Sequence, residues 1–192
     1  MEKNSLTDEQ LMKMFQNGDE SAFNQLMTKY KDRILNYIIN YTGDYESAQD
    51  LAQDTFVKVY IKKQSYREIA KFSTWLYTIA GNLAKTELRK IKRRKTYSVS
   101  ALSKDDKEFV LKVPEKDAVD KTEQYGQSEF MQKALLELDD DFRNIIILRE
   151  IQGTSYEIIS KILKLPLGTV KSRLNRGKLK LRDILIKFGV KN

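Results

Sequence analysis

The chain contains no cysteine and no histidine. Disulfides and cysteine-ligated metals are excluded, as are His-based catalytic triads and His-ligated zinc. A cysteine-free chain fits a reducing cytosol. Proline is almost missing: Pro114 and Pro166 are the only two, and eight glycines supply the other breaks. Long apolar runs are missing as well. The longest, Ile145-Ile146-Ile147-Leu148, is far too short to cross a bilayer. The start, Met1 to Glu9, carries charges with no apolar run behind them, unlike a secretory signal. The expectation is a soluble, cytoplasmic protein.

Positive charge is plentiful. Over 192 residues, 35 Lys and Arg stand against 27 Asp and Glu, a net charge of +8 and a pI near 9.4. That balance suits a polyanionic partner, nucleic acid or an anionic membrane surface. Between the breaks, apolar residues recur at spacings of three and four. Ala48, Leu51, Ala52, Thr55 and Val59 form one stripe; Phe72, Leu76, Ile79, Ala80, Leu83 and Leu88 form most of another. Both are amphipathic helix patterns, and no strand-like alternation extends beyond a few residues. The fold class predicted is all-α. Between about Tyr97 and Gln127 the character changes: Ser103 to Glu129 holds five Lys and eight acids, net −3, with Pro114 inside. This reads as a flexible linker, with room for a short helix, joining two small helical domains.

The second domain is the more explicit. Asp139-Asp140-Asp141 separates a helix ending near Leu138 from one over about Phe142–Ile151, and Gly153 is placed to end that one in a left-handed cap. Thr154-Ser155-Tyr156-Glu157 matches a capping box with Thr154 as N-cap and Glu157 reaching back. A helix to about Lys164, a turn at Leu165-Pro166-Leu167-Gly168, and a helix from Thr169 make a helix-turn-helix, whose second helix enters the DNA major groove. From Gly168 to Leu181 there are Lys171, Arg173, Arg176, Lys178 and Lys180 and no acid. With Val170, Leu174 and Leu181 inward, Lys171, Ser172, Asn175, Arg176 and Lys178 point outward. Arg and Asn pair bidentately with guanine and adenine edges. The alternative is a solvated basic helix packed on its neighbour.

Gly153-Thr154-Ser155-Tyr156-Glu157-Ile158-Ile159, followed by Pro166-Leu167-Gly168-Thr169-Val170-Lys171-Ser172-Arg173-Leu174, closely resembles the fourth conserved region of bacterial sigma factors. It is most similar to the small extracytoplasmic-function (ECF) type. The resemblance implies that Thr169, Lys171, Ser172, Arg173, Asn175, Arg176 and Lys178 read the −35 promoter element in duplex form. It also implies a second sigma region toward the front. Asp50-Leu51-Ala52-Gln53-Asp54-Thr55-Phe56 resembles the family's polymerase-docking helix, and Phe72-Ser73-Thr74-Trp75-Leu76-Tyr77-Thr78-Ile79-Ala80-Gly81-Asn82 resembles the segment that opens the −10 element. The domains expected are 19–95 (docking and −10 opening), a linker at 96–127, and 128–188 (−35 reading).

The same residues can be read physically. Glu46, Asp50 and Asp54, spaced by four, share a helix face whose mutual repulsion a basic partner would relieve. On spacing alone a solvated charge ladder, with Lys58 pairing Asp54, is the simpler reading. The resemblance implies instead that Glu46, Asp50, Leu51, Gln53, Asp54 and Phe56 bind a coiled coil of the polymerase clamp. Tyr66, Phe72, Trp75 and Tyr77 precede a basic run, Lys85 to Lys95, interrupted by one acid, Glu87. Aromatic faces stack unpaired bases and cations follow phosphates, which suits a melted strand; the alternative for Phe72 and Trp75 is a place in the core. Tyr66, Lys71, Phe72, Trp75, Tyr77, Asn82, Lys85 and Arg89 are the −10 candidates, Asn82 as a hydrogen-bonding group. The loop Tyr66-Arg67-Glu68-Ile69-Ala70-Lys71 lacks the glycine that family members often carry there, in the loop that helps select the flipped base.

The expected function is that of a sigma factor. It brings core RNA polymerase to promoters, binds duplex and melted promoter DNA, has no chemistry, cofactor, metal or small-molecule substrate of its own, and answers to an anti-sigma factor that can hold it at the membrane. The competing readings are a stand-alone helix-turn-helix regulator, which leaves the Trp75 block unused, and a Mg²⁺-dependent nuclease using Asp139, Asp140 and Asp141. Against the latter, three acids between helices are far more often a solvated turn with an N-cap.

Overall fold

The computed structural model describes residues 6–101 and 122–190, and among them there is helix and no strand. The helices are α1 (Asp8–Gln16), α2 (Glu20–Thr42), α3 (Tyr45–Ile61), α4 (Phe72–Ala101), α5 (Thr122–Glu137), α6 (Asp140–Ile146), α7 (Tyr156–Leu163) and α8 (Leu167–Lys187). A short 3₁₀ turn, Lys63–Ser65, follows α3, and a single wide π-type turn, Ile147–Ile151, follows α6. The all-α expectation holds. Positions 102–121, most of the expected linker, lie outside the described residues, and its described ends belong to α4 and α5.

Local chemistry sets the boundaries. Thr7 and Gln10 form a reciprocal capping box on α1. Asp19 caps α2 by accepting from the Ser21 and Ala22 amides. α2 ends at Gly43, whose φ of +78° is the left-handed cap that glycine adopts without strain. Glu9 accepts from the Phe72 amide at 3.0 Å, so α1 supplies a carboxylate to the N-terminus of α4.

Three readings of the second domain change in detail. Ser155, not Thr154, is the N-cap of α7, its Oγ accepting from the Ile158 amide. Both residues have the chemistry, but Thr154 belongs to the turn closing the previous helix, its amide donating to Leu148 O. Helix 142–151 is divided: α6 stops at Ile146 and the wide turn takes over, with Gln152 N bonded to Ile147 O and Gly153 at φ +64°. α8 begins at Leu167, two residues early, because Pro166 has no amide to satisfy and sits naturally just before the first turn.

The two sequence stripes are inward, as expected: Ala48, Leu51, Ala52, Thr55 and Val59 on α3 are buried, as are Phe72, Leu76, Ala80 and Leu88 on α4. The core continues from α1–α4 into α5–α8, so the two halves pack on one another. A buried cation sits at the junction. Arg143 of α6, 4% exposed, donates to Leu135 O (2.7 Å), Leu136 O (2.6 Å), Leu138 O (2.8 Å) and, from α2, Tyr41 O (3.1 Å). Asp140 lies 3.6 Å away. Burial lowers the guanidinium's pKa and Asp140 opposes that shift. Removing the cation strands buried carbonyls. Arg143→Met is therefore expected to cost about 3 kcal/mol, a melting temperature lower by on the order of 9 °C. Exposed Lys58→Met should stay within about 0.5 kcal/mol. Melting followed by circular dichroism decides; a loss for Arg143→Met no larger than that of Lys58→Met refutes the role.

Candidate nucleic-acid interface

Three surfaces carry the candidate residues. The first is on α3. Glu46, Asp50, Gln53 and Asp54 are exposed, while Leu51 and Phe56 are buried. Among the described residues none of Glu46, Asp50 and Asp54 has an ion-pair partner; Lys58 does not close on Asp54, so the expected ladder pair is absent. Beside the acids, an apolar groove of about 390 Å³ between α2 and α3 is lined by Phe23, Met27, Gln53, Phe56, Val57 and Tyr60. Val57 and Tyr60 are exposed. An apolar groove bordered by unpaired carboxylates fits a protein helix that is apolar on one face and basic at its margin.

The second surface is on α4. Trp75, Asn82, Lys85 and Arg89 fall at helical spacing on one stripe, with Asn82, Lys85 and Arg89 exposed and Trp75 half-buried. The stacking role expected for the other aromatics is corrected. Phe72, Tyr66 and Tyr77 are core residues: Phe72 packs edge-on to Tyr30 and Tyr66, and Tyr77 edge-on to Tyr37. Four aromatics near one helix start satisfy each other before they can meet a base. Trp75 alone among them keeps part of its surface accessible, leaning on Tyr66 at 5.4 Å between centroids. The loop before it is anchored at both ends. Gln16 donates to Lys63 O and Tyr66 O, and Tyr66 OH donates to Ala70 O. Arg67, Glu68, Ile69 and Lys71 are left in solvent, Ile69 at 88% exposure.

The third surface is α8. The three-residue turn is set by Lys164 in the left-handed region (φ +54°) and by Ser160 Oγ donating to Leu165 O. Val170 and Leu174 are buried and Leu181 packs against the core; Lys171, Ser172, Asn175, Arg176 and Lys178 are exposed, as expected. Thr169 is half-buried, its carbonyl accepting from Ser172 Oγ. Arg173 is half-buried and bonded to Asp141 at 2.8 Å, and Lys178 pairs with Glu150 at 2.8 Å. Asp139, Asp140 and Asp141 form no metal-holding group among the described residues; each faces a cation instead.

The second and third surfaces meet at a seam that pattern reading did not reveal. Tyr37 OH donates to Asn144 Oδ1 (2.8 Å) and Tyr77 OH to Gln152 Oε1 (2.9 Å), joining α2 and α4 to α6 and the turn after it. A cavity of about 230 Å³ there is bordered by Thr78, Gly81, Asn82 and Lys85 of α4 and by Leu163 and Lys164 at the end of α7. Gly81 is needed at that place: a Cβ would come 3.0 Å from Tyr37 OH. The signal for Arg143 was available in retrospect, as a single cation inside the apolar stripe Phe142–Leu148.

Residues 26–94 match the family model for sigma-70 region 2, and residues 131–181 that for sigma-70 region 4. The ECF RNA polymerase sigma-E factor of Haemophilus influenzae is 33% identical over 177 residues, 90% of this chain and 92% of that protein. The ECF RNA polymerase sigma factor SigW of Bacillus subtilis is 34% identical over 182 residues, 91% and 94%. Among solved structures, the sigma factor RpoE of Bartonella quintana in complex with the anti-sigma factor NepR superposes with a TM-score of 0.67 at 29% identity, covering 85% of this chain and 96% of that one. CnrH, in complex with the cytosolic domain of CnrY, shares the fold with a TM-score of 0.68 at 21% identity, covering 94% and 97%.

The seam phenols give this arrangement a pH signature. Burial pushes Tyr77 up to about 12, and burial followed by the nearby Asp140 carboxylate does the same for Tyr41. Tyr37 is raised further by burial. A phenol whose folded pKa exceeds its ordinary 10 stabilises the fold fully below pH 10 and loses that contribution as pH rises toward 12. Cooperative loss of helix is expected between pH 10 and about 12, together with the tyrosinate absorbance of these residues. Complete tyrosine ionisation near pH 10 with helix content unchanged contradicts the burial.

Proposed function

The chain belongs to the ECF sigma factors of RNA polymerase, and from that premise we propose how its surfaces divide the work of initiation. As a sigma factor it directs core polymerase to promoters and assists their opening. We assign docking, −10 capture and melting to the domain at 19–95, a tether to 96–127, and −35 reading to the domain at 128–188. The observation that supports this reading is that one chain presents two separate basic and amide-bearing faces, half-buried Trp75 with exposed Asn82, Lys85 and Arg89 on α4, and exposed Lys171, Asn175 and Arg176 on α8. A stand-alone regulator needs only the second. The unpaired acids of α3 with the adjoining groove supply the polymerase contact, Asp50 and Asp54 for charge and Phe56 and Gln53 for the groove wall.

At the −10 element, Trp75 backs a displaced base, Asn82 hydrogen-bonds its edge, and Lys85 and Arg89 hold the adjoining phosphates. Unstacking a base costs a few kcal/mol, which such a pocket offsets. The exposed loop around Ile69 selects the base. No catalysis of its own is involved. We place its work beside the polymerase in the cytoplasm. No helix among the described residues is long and apolar enough to cross a membrane. An anti-sigma factor, the kind of protein that holds the Bartonella relative, is the regulatory partner carried over to this chain.

Run-off transcription with core polymerase and a pool of genomic promoters tests the reading. Promoter-specific transcripts are expected with the wild-type chain, and none with Asp50→Lys plus Asp54→Lys, whose melting should shift by no more than about 0.5 kcal/mol. Binding of duplex DNA by the chain alone, with no transcript on any template, supports the regulator instead. On the same promoters Arg176→Ala is expected to cost about 1–3 kcal/mol at −35 and relax base choice at one position. Equal losses on promoter and random duplex reduce Arg176 to a phosphate contact.

A further inference from the structure

α8 carries five cations from Lys171 to Lys180. Each one placed on a phosphate adds sequence-blind affinity, roughly 0.9 in the slope of log affinity against log salt. A reader loaded with free cations binds any duplex. Three of the five are not free. Arg173 pairs with Asp141 at 2.8 Å, Lys180 with Asp139 at 3.2 Å, and Lys178 with Glu150 at 2.8 Å. Lys171 and Arg176 have no ion-pair partner among the described residues: Lys171 lies 5.9 Å from the Tyr156 ring, and Arg176 Nε donates weakly to Ser172 O.

The pairs have a geometric setting. α8 meets α6 at the buried Gly177, where a Cβ would stand 3.1 Å from Ile146 Cδ1 and 3.3 Å from Phe142 Cβ. Arg173 and Lys180 lie one turn before and three residues after that crossing, and both bond to acids at the start of α6. Lys180 also rests 4.9 Å over the Phe142 ring. Glu150, in the wide turn after α6, holds Lys178.

We propose that Asp139, Asp141 and Glu150 are specificity-determining residues of the duplex reader. They occupy Arg173, Lys180 and Lys178, so that Lys171, Asn175 and Arg176 make the DNA contacts and random duplex is discriminated against. The inference rests on the assignment of α8 as that reader and narrows it, moving Arg173 and Lys178 from contact to background. Exposed pairs are individually weak. Their effect here is cumulative: each must break before its cation serves a phosphate, and the acids remain within a Debye length of the backbone.

The test compares two triple variants of the chain with equal charge change: Asp139→Asn with Asp141→Asn and Glu150→Gln, and Asp8→Asn with Glu20→Gln and Asp32→Asn on α1 and α2. Fluorescence anisotropy follows binding to a random duplex and to the −35 duplex that holoenzyme selects from a randomised pool, across a KCl series. The first triple should bind random duplex about tenfold tighter, with a salt slope steeper by roughly two to three, and its preference for the selected duplex should shrink. The α1–α2 triple should match wild type. Unchanged random binding, an equal gain in both triples, or equal gains on both duplexes overturns the proposal. A wild-type chain that does not distinguish the selected duplex, and is indifferent to Arg176→Ala, removes the reading of α8 itself and the proposal with it.

Discussion

The buried guanidinium of Arg143 is the interaction on which the remaining arrangement depends. Taking a cation out of water costs several kcal/mol unless its donors are met. Here they meet a need of equal urgency. α5 ends at Glu137; the carbonyls of Leu136 and Leu138 have no further turn to bond with, and that of Leu135 meets the Leu138 amide at 3.2 Å. Arg143 answers all three from inside the fold, so α5 gives way to α6 without a glycine. Its fourth bond, to Tyr41 O near the end of α2, reaches the other half. Gly43, two residues on, lets Leu136 close over that helix end; a Cβ there would lie 2.5 Å from Leu136 Cδ1.

That fourth bond bears on how the chain meets a promoter. A compact body of this length has a radius of gyration of about 16 Å. Elements centred at −10 and −35 are roughly 25 base pairs apart, ~85 Å at 3.4 Å per pair. On the proposed assignment of α4 and α8 to these elements, engaging both at once would require the seam to part. Its chemistry permits this. Three of the four Arg143 bonds stay within the C-terminal half when the halves separate. Tyr37–Asn144 and Tyr77–Gln152 are neutral pairs, each worth about 0.5–1.5 kcal/mol and replaceable by water. Parting the seam would break these polar bonds and also expose the apolar contacts through which the core runs from one half to the other.

Periodicity and caps carried most of the fold. The stripes of α3 and α4, the left-handed stop at Gly153 and the turn at Pro166 are local, and local rules describe them. What escaped depends on partners distant in sequence. Thr154 and Ser155 are equally good caps until Leu148 O claims the Thr154 amide. Phe72, Tyr66 and Tyr77 have the composition of a base-stacking platform, and only the presence of Tyr30 and Tyr37 on α2 turns them into core. Arg173 and Lys178 look like their neighbours on α8 until Asp141 and Glu150 are placed beside them. The exposed faces of α3 and α8 were legible because exposure follows from helical spacing; the engagement of each charge was not, because it follows from tertiary contact.

The absences noted at the outset also limit how this chain can be controlled. With no histidine, no side chain titrates by its ordinary pKa between about pH 5 and 8. The perturbed phenols and carboxylates move away from that window: the buried phenols rise, and the half-buried Asp19 and exposed Glu157 carboxylates fall through hydrogen bonds at their helix starts. With no cysteine there is no thiol to oxidise. Neither a histidine proton nor a cysteine thiol acts on the seam near neutrality. What remains is binding, and a ligand shifts a two-state equilibrium only by its differential affinity for the two states. The α3 groove lies on the N-terminal half alone, so a partner confined to it makes no contact that distinguishes a closed seam from an open one. A partner that stabilises the closed form must touch both halves; one that stabilises the open form must fill what parting exposes. On the proposed division of labour, polymerase with promoter DNA would meet the second condition by holding the two readers apart. An anti-sigma factor that keeps this chain closed must meet the first, with contacts that span α4 and α7.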